Sequence, residues 1–211
     1  MDKYDIGIIG AGIAGSCLAI LLVDAGKKVV VFEKETFPSH KVCGEFISLE
    51  SYDFFKSLGL PLDKWNLPRI KDLQLTSQKG GELNSKIKIG GFGLSRYKLD
   101  YELAEQMKRS GVVFYDNSKV LSVDSNVIKT SSRKAEATLI IGSHGKYSAG
   151  YLNQPKPTSK RNFLGVKHHI KGDFRDDLIS LHSFDGGYCG MSKIEDDLYC
   201  LCYLADASKL K

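Results

Sequence analysis

The composition of this 211-residue chain is that of a folded globular protein and excludes several other classes. Hydrophobic residues make up 42% and charged residues 26% of the sequence, which argues against intrinsic disorder. No apolar run reaches the length of a membrane span, since the run from Ala19 to Val23 is broken by Asp24 and Gly26. The net charge is +5, but the lysines are spread along the chain. We therefore expect no nucleic-acid partner, and a weak association with membrane surfaces stays open.

Cysteine usage predicts a reducing, cytoplasmic setting, because an odd number of thiols favours free cysteines. The five are Cys17, Cys43, Cys189, Cys200 and Cys202. Cys200 and Cys202 lack the spacing of a zinc pair, and on a strand both side chains share one face, so we interpret them as small core residues. We predict no metal ligands.

The N-terminal segment carries the most specific motif. Residues 6–9 form an apolar run typical of a buried strand, and the apolar helix that follows ends at Gly26. Between them, Gly10, Gly12 and Gly15 have the G-x-G-x-x-G spacing. In that spacing the first glycine permits a tight turn, the second lets the backbone approach a pyrophosphate, and the third lets the helix pack on the strand. The helix N-terminus offers N–H groups to the phosphates.

A second buried strand, Val29 to Phe32, ends at Glu33. An acidic residue about 20 positions beyond the glycines is the expected acceptor for ribose hydroxyls. Glu33 also argues against a 2′-phosphate, because two anions would repel, so the motif predicts FAD or NAD rather than NADP as the first ligand. The alternative is a glycine turn in an unrelated α/β fold, which the combination of strand, glycines, helix and acid disfavours.

The remainder of the first half alternates between loops, helices and strands. Pro38 and Gly44 predict a loop, and Ser48 to Leu58 predicts a helix with Ser48 as its N-cap. Gly90 to Gly93 predicts a break, and a further helix begins near Leu99 and ends at Gly111. The predicted strands are Ile70–Thr76 and Glu82–Ile89, joined by a Gly80-Gly81 turn, then Val112–Tyr115, Lys119–Val123, Val127–Thr130 and Ala137–Ile141.

The composition changes from Pro155 onward. Residues 155–159 predict a linker, and the sequence beyond it predicts strands at Phe163–Ile170, Leu178–Phe184, Tyr188–Ile194 and Leu198–Leu204. Short strands with turns between them and no helical pattern indicate an antiparallel sheet. His168 and His169 face opposite ways on a strand and cannot form a catalytic pair, so sheet positions are the simplest interpretation for them and for His182.

The loop after Glu33 contains K-V-C-G-E-F, residues 41–46. Together with the glycine motif it resembles the FAD-dependent geranylgeranyl reductase group of the p-hydroxybenzoate-hydroxylase-like flavoproteins. In that group the C-G loop lies near the flavin and its basic residue meets the FAD phosphates, which implies Lys41, Cys43 and Gly44 as contacts. A second family signature, an arginine before a helix that opens with L-D, implies Arg96, whose planar guanidinium suits a pyrophosphate.

The resemblance extends to two further segments. It implies that the backbone of Val120 hydrogen-bonds the adenine. The family pattern G-A-D-G-x-x-S is matched at Gly142, Gly145 and Ser148, whereas His144 stands where the aspartate would be. The role of that carboxylate is therefore not carried over to this chain.

The resemblance implies an α/β fold with a Rossmann-like FAD/NAD(P)-binding domain and a partial antiparallel β-sheet substrate domain. The first domain comprises residues 1–69 and 90–157, and the second comprises 70–89 and 158–211. The implied cofactor is FAD, with NADPH as a transient reductant, and Cys43 is the candidate catalytic residue. The predicted cofactor-binding residues are Gly10, Ala11, Gly12, Ile13, Ala14, Gly15, Glu33, Lys34, Lys41, Cys43, Gly44, Arg96, Val120 and Gly142.

The implied function is an oxidoreductase that passes a hydride from flavin to an apolar, unsaturated, isoprenoid-like small molecule. A flavin monooxygenase is the alternative enzyme, and a non-catalytic nucleotide-binding module is the alternative from another class. A flavin halogenase is disfavoured, because its W-x-W-x-I-P motif is absent and Trp65 is the only tryptophan. A NAD-dependent dehydrogenase is disfavoured, because no second half-fold with an acid–base pair follows.

The resemblance covers about the first half of the family pattern. The third family signature, a G-D dipeptide before a glycine-rich helix, is not matched, since Gly172-Asp173 lies in a charged turn. A fragment of a longer protein and a naturally short protein both remain open explanations. Oligomeric state is not predicted.

Overall fold

The structure is a computed structural model that describes residues 1–145 and 162–209. Several strands have the predicted bounds, and other elements begin or end elsewhere. The elements in chain order are β1 (Asp2–Ile9), α1 (Ile13–Asp24), β2 (Val29–Phe32), β3 (Phe46–Ser48), α2 (Tyr52–Ser57), β4 (Arg69–Thr76), β5 (Glu82–Gly93), α3 (Arg96–Arg109), β6 (Val113–Tyr115), β7 (Ser122–Asp124), β8 (Val127–Lys129), β9 (Lys134–Gly142), β10 (Phe163–Ile170), β11 (Leu178–Phe184), β12 (Gly187–Lys193) and β13 (Tyr199–Asp206). The predicted linker at residues 155–159 and the motif residue Ser148 lie outside the described residues.

The first of two structural units comprises residues 1–39 and 58–60 and the described chain from 97 to 145. Its six-stranded sheet has the order β6-β2-β1-β9-β8-β7. The strands β6, β2, β1 and β9 run parallel, and β8 and β7 extend the sheet antiparallel. All four residues of β2 are buried, as expected of a parallel strand covered on both faces. The strand order reverses at β1, the position where ligands bind in open α/β sheets.

The second unit comprises residues 40–57 and 61–96 and the described chain from 162 to 209. Its seven-stranded sheet has the order β10-β13-β12-β11-β4-β5-β3. Every neighbouring pair is antiparallel except β4 and β11, so the predicted antiparallel sheet is confirmed with one parallel pair inside it. The predicted domain boundaries placed residues 40–57, 61–69 and 90–96 with the nucleotide-binding domain. In the structure they group with the second sheet, because β3 pairs with the end of β5.

The strand β5 continues through Gly90 to Gly93, where the sequence predicts a break. That prediction is wrong, because two of these glycines serve close packing rather than a turn. A Cβ on Gly91 would overlap the Phe46 ring, and a Cβ on Gly93 would overlap the carbonyl oxygen of Lys193. The missing side chains let neighbouring strands and rings approach the backbone of β5.

The helix predicted over Ser48–Leu58 is shorter in the structure. Ser48 is the last residue of β3, a 3-10 turn follows over Leu49–Ser51, and α2 begins only at Tyr52. The Ser48 hydroxyl donates to the Glu50 carboxylate at 3.1 Å and makes no N-cap hydrogen bond. Ser48 therefore pairs with β5 as the end of β3, although its local propensity favours a helix N-cap.

Membrane-spanning helices are not found among residues 1–145 and 162–209, since none of the helices there combines the required length and hydrophobicity.

Replacing Gly93 tests the packing explanation for the extended β5. We expect Gly93→Ala to lower the free energy of unfolding by about 2–3 kcal/mol, because the added Cβ would force the Lys193 backbone to move. Ser85→Ala, at an exposed position of the same strand, is the control and should change it by less than about 0.5 kcal/mol. Urea unfolding followed by circular dichroism measures both variants, and equal effects would contradict the explanation.

Candidate functional site

The glycine loop between β1 and α1 has one face filled and one face open. Gly10 has φ of +104°, and a Cβ there would overlap the Ser143 carbonyl oxygen. A Cβ on Gly15 would overlap the Gly10 carbonyl oxygen, so α1 packs directly on the loop. A Cβ on Gly12 would meet no atom within 4 Å. The loop backbone at Gly12 therefore has free space beside it, which is what the approach of a pyrophosphate requires.

Glu33 is buried at the end of β2 and faces the glycine loop. Only 4% of the residue is exposed, and its Oε2 accepts the backbone N–H of Ala11 at 2.8 Å. Its Oε1 accepts the backbone N–H of Glu35 at 3.0 Å. The Glu33 carboxylate thus holds the glycine loop in place through Ala11. The sequence predicted a ribose contact for Glu33 and not this structural role. Each carboxylate oxygen can accept more than one hydrogen bond, so a ribose contact is compatible with this arrangement.

Lys34, by contrast, is exposed, and its ammonium lies 3.5 Å from the Glu35 carboxylate. This is a solvent-exposed ion pair of the kind that contributes little to stability. The predicted contact of Lys34 with the cofactor stays a prediction.

The carboxyl end of β9 lies beside the glycine loop. Gly142 pairs with Ile9 of β1, and the backbone N–H of Ser143 donates to the Ile9 carbonyl at 2.7 Å. A cavity of about 390 Å³ opens along β9, and its lining includes Ile9, Leu139, Gly142 and His144. The structure thus brings Gly142 together with Gly10–Gly15, and His144 lines the neighbouring cavity.

Val120 does not lie in a strand, since β7 begins two residues later, at Ser122. It is buried, with 7% of the residue exposed, and belongs to the core of the first unit. Its predicted backbone contact with an adenine stays a prediction.

Glu45 organises the candidate site residues of the second unit. Its side chain is fully buried, and both oxygens of its carboxylate have polar partners. Oε1 accepts Lys167 Nζ at 2.6 Å and the Arg96 backbone N–H at 2.8 Å, and Oε2 lies 2.6 Å from His169 Nε2. A buried carboxylate is costly unless it is paired and hydrogen-bonded, and here both oxygens are satisfied.

The same residue joins the C-G segment to the start of α3. The Glu45 backbone N–H lies 3.5 Å from Cys43 Sγ, and the Leu94 N–H donates to the Glu45 carbonyl at 3.0 Å. Glu45 also has φ of +55°, an uncommon conformation outside glycine that often occurs at functional sites. The structure therefore brings the predicted residues Cys43 and Arg96 together through a residue that the sequence analysis missed. Its only local signal was its position inside the C-G-E-F motif.

A second buried carboxylate holds the turn before α3. Glu195 Oε2 accepts the Ser95 backbone N–H at 2.8 Å, and Glu195 Oε1 accepts the Ser95 hydroxyl. Both residues are buried. Of the other predicted residues, Lys41 is half-buried, and a Cβ on Gly44 would meet no atom within 4 Å. Gly44, like Gly12, therefore leaves its backbone open to a ligand.

Three thiols of the second unit, Cys43, Cys200 and Cys202, lie near this charge cluster. All five cysteines of the chain are free, and Cys200 Sγ donates to the Cys43 carbonyl at 3.4 Å. Burial and the nearby Glu45 carboxylate raise the pKa of the Cys200 thiol well above its usual range. Ligand atoms of Glu45, His169 and Cys200 lie within 4.8 Å of one another. Cys200 is buried, as predicted for a small core residue, but its thiol lies beside polar groups that the prediction did not include.

The histidines of the second sheet differ in their surroundings. His168 is exposed, whereas its neighbour His169 contacts buried Glu45, so the two rings do face opposite ways. His182 Nδ1 lies 2.7 Å from the Thr76 hydroxyl. The predicted role as a simple sheet residue fits His168, whereas His169 also contacts the buried Glu45 carboxylate.

Comparisons with known proteins agree with the glycine motif. The family described as "NAD(P)-binding Rossmann-like domain" matches residues 8–42, which contain the glycine loop and Glu33. Conditioned medium factor receptor 1 of Dictyostelium discoideum is 29% identical over 98% of this chain and 47% of its own length. Menaquinone reductase of Mycobacterium tuberculosis is 29% identical over 67% of this chain and 35% of its own length. Kynurenine 3-monooxygenase of Christiangramia forsetii is 26% identical over 88% of this chain and 44% of its own length. This chain spans less than half the length of these relatives.

Solved structures share the fold over almost the whole chain. A myxobacterial chondrochloren halogenase, described as FAD-dependent, has a TM-score of 0.77 at 15% identity, covering 99% of this chain and 54% of the halogenase. A geranylgeranyl bacteriochlorophyll reductase-like protein of Thermoplasma acidophilum has a TM-score of 0.75 at 16% identity, covering 99% of this chain and 58% of the reductase-like protein. A probable FAD-dependent monooxygenase of Pseudomonas aeruginosa has a TM-score of 0.77 at 15% identity, covering 99% of this chain and 62% of the monooxygenase. The chain therefore has the fold of FAD-dependent flavoproteins, which confirms the predicted fold class and, at the level of the fold, the predicted resemblance.

The two faces of the glycine loop predict losses of stability of different size for the same substitution. Gly15→Ala should lower the free energy of unfolding by about 1–3 kcal/mol, because its overlap with the Gly10 carbonyl outweighs the roughly 1 kcal/mol that alanine gains within a helix. Gly12→Ala places its Cβ in open space and should change stability by less than about 1 kcal/mol. Thermal and urea unfolding of the pair measure this difference, and similar losses in both variants would refute the assignment of the faces.

Proposed function

We propose that this chain is the FAD-binding part of a flavin-dependent oxidoreductase. The observation that carries the proposal is the glycine loop, open at Gly12 and fixed by the buried Glu33 carboxylate at 2.8 Å from the Ala11 N–H. The fold of the chain and the FAD-dependent proteins that share it support the same assignment. A bound flavin would supply hydride or oxygen chemistry that amino-acid side chains lack, and the chain would bind and orient it.

The first unit fits the adenosine and pyrophosphate part of FAD. The N-terminus of α1 carries no acidic residue in its first turn, so its partial positive charge is available to phosphates. Glu33 is suited to ribose hydroxyls and repels a 2′-phosphate. Gly10 to Gly15, Glu33 and Gly142 are thus proposed contacts, together with Val120 and Lys34 from the family resemblance.

The second unit supplies a separate set of proposed contacts. Lys41, Cys43, Gly44 and Arg96 match the family signatures, and Glu45 fixes the segments that carry Cys43 and Arg96. The Arg96 guanidinium can donate two parallel hydrogen bonds to phosphate oxygens. Cys43 is proposed to lie beside the reacting face, where it packs against the cofactor or exchanges a proton.

The proposed reaction is reduction of an unsaturated, apolar, isoprenoid-like substrate, with NADPH as the transient reductant. The geranylgeranyl reductase-like structure and the relative named menaquinone reductase support this choice. A monooxygenase is the second candidate, supported by the relative named kynurenine 3-monooxygenase, which matches 88% of this chain. With NADPH and geranylgeraniol, the reductase yields a product that gains two hydrogens, whereas the monooxygenase yields one that gains an oxygen atom and consumes O₂.

FAD binding to the 211-residue chain tests the central proposal. We expect a yellow protein with one FAD per chain, or uptake of added FAD measured by flavin fluorescence. Gly12→Ala should weaken FAD binding by about tenfold or more, because its Cβ occupies the space proposed for the pyrophosphate.

Gly81→Ala is the matched glycine control, since its Cβ would contact only the Ser77 side chain in a hairpin turn of the second unit. It should change the FAD dissociation constant by less than about twofold. A colourless chain that takes up no added FAD would overturn the proposal.

Arg96 provides a second, independent test. We expect Arg96→Met to weaken FAD binding by about tenfold or more, because a charge-assisted hydrogen bond to phosphate is lost while the backbone bond to Glu45 is kept. Lys64→Met removes an exposed positive charge from the same unit and should have little effect. Equal affinities of the two variants would remove Arg96 from the proposed site.

A further inference from the structure

Three consecutive backbone N–H groups at the start of α3 are occupied by two buried glutamates. The Leu94 N–H donates to the Glu45 carbonyl at 3.0 Å, and the Arg96 N–H donates to Glu45 Oε1 at 2.8 Å. Between them, the Ser95 N–H donates to Glu195 Oε2 at 2.8 Å, and the Ser95 hydroxyl donates to Glu195 Oε1. Protein acceptors thus fill N–H groups that could otherwise bind an anion. At this turn a ligand phosphate is left with the Arg96 guanidinium.

The turn between β12 and β13 places the Glu195 carboxylate. Glu195 is the first residue of this turn, and the Leu198 N–H donates to its carbonyl at 3.2 Å. The two central residues, Asp196 and Asp197, have φ of +58° and +55°, the pattern of a type I′ turn. A left-handed backbone outside glycine persists where surrounding contacts hold it. One such contact is the ion pair between Lys193 and Asp197, at 3.0 Å.

Close packing keeps this turn against the start of α3. A Cβ on Gly93 would overlap the Lys193 carbonyl oxygen, so the last residues of β5 and β12 lie directly against each other. Ser95 and Glu195 each follow two residues later, and both are buried. Their hydrogen bonds are therefore shielded from water, and loss of either partner would leave the other unsatisfied. The Ser95 backbone is held in one position as a result.

We infer that Glu195 is a positioning residue of the proposed FAD site, which acts through Ser95 on the guanidinium of Arg96. The inference rests on the proposed function, because it takes Arg96 as a contact of the FAD pyrophosphate. A guanidinium donates to two phosphate oxygens in a narrow range of orientations. Holding the backbone that carries it therefore reduces the conformational freedom lost on binding. Glu195 itself contributes no contact with FAD.

Two substitutions of Glu195 separate positioning from charge. FAD phosphates are anions, so loss of a nearby negative charge would by itself tighten binding. Glu195→Asp keeps the charge but shortens the side chain by one methylene, so it cannot keep both hydrogen bonds to Ser95. Glu195→Gln loses the charge but keeps the length and a carbonyl acceptor, so it is the conservative variant that should rescue binding.

FAD titration of the 211-residue chain tests the inference. We expect Glu195→Asp to weaken FAD binding by about threefold to tenfold, and by no more than Arg96→Met does, because it acts through that side chain. Glu195→Gln should bind FAD within about twofold of the wild-type affinity. Asp196→Asn is the matched control: it removes an exposed charge from the same turn, asparagine tolerates the left-handed backbone, and the affinity should change by less than about twofold.

A double-mutant cycle distinguishes a positioning role from a general structural one. In the Arg96→Met background, Glu195→Asp should cause no further loss of FAD affinity, because the group that it positions is gone. Equal losses in both backgrounds would overturn the inference, and so would unchanged or tighter binding in Glu195→Asp alone. If Glu195→Asp does not fold, Ser95→Ala takes its place in the cycle with the same expectation, since it loses the hydroxyl bond and keeps the backbone bond.

Amide hydrogen exchange of the chain without FAD separates this inference from the proposed function. The Ser95 N–H should exchange at least about tenfold faster in Glu195→Asp than in the wild type. The Leu94 N–H, which donates to the Glu45 carbonyl, should keep its rate. An unchanged Ser95 rate overturns the inference even where FAD binds. A wild-type chain that takes up no FAD overturns the proposed function, while the exchange rates still decide whether Glu195 holds the turn.

Discussion

Buried carboxylates are the constraint on which the candidate ligand-facing segments depend. Glu33, Glu45 and Glu195 are each at most 5% exposed, and each accepts a backbone N–H from a segment that carries or adjoins predicted contacts. An ionised carboxylate without donors would be too costly to bury, and an N–H without an acceptor would also be penalised. Each carboxylate and the backbone N–H that it accepts therefore stabilise one another, and loss of either group leaves the other without its hydrogen bond.

Glycines complement these carboxylates in two opposite ways. Gly15, Gly91 and Gly93 lie where a side chain would overlap a neighbour, so they permit close packing of helix, ring and strand. Gly12 and Gly44 lie where a side chain would meet nothing, so they keep the backbone accessible. Packing glycines matter for stability in the free protein, whereas the accessible ones matter only when a ligand is present. The sequence motif contains both kinds without distinguishing them.

Local patterns predicted most of the fold, because strands and turns leave local signals. The strands β2, β10 and β11 match their predicted bounds, and the glycine motif with Glu33 predicted the loop that the structure contains. The failures have a common cause in tertiary contacts. Residues 90–93 read as a break and Ser48 as a helix cap, but pairing between β3 and β5 determines both. Glu45, Glu195 and His169 were missed as a group, because their partners lie about 50 to 124 positions away and no spacing rule reaches that far.

The separation of these partners along the chain affects how the second unit folds. Glu195 lies 100 residues from Ser95, and Lys167 lies 122 residues from Glu45. The parallel pairing of β4 with β11 is equally remote. During synthesis the glycine loop and Glu33 emerge within the first few dozen residues, whereas the turn before α3 must wait for Glu195, and Glu45 must wait for Lys167 of β10. Closing such long loops is slow, so the contacts of Glu45 and Glu195 form only after most of the chain has been synthesised.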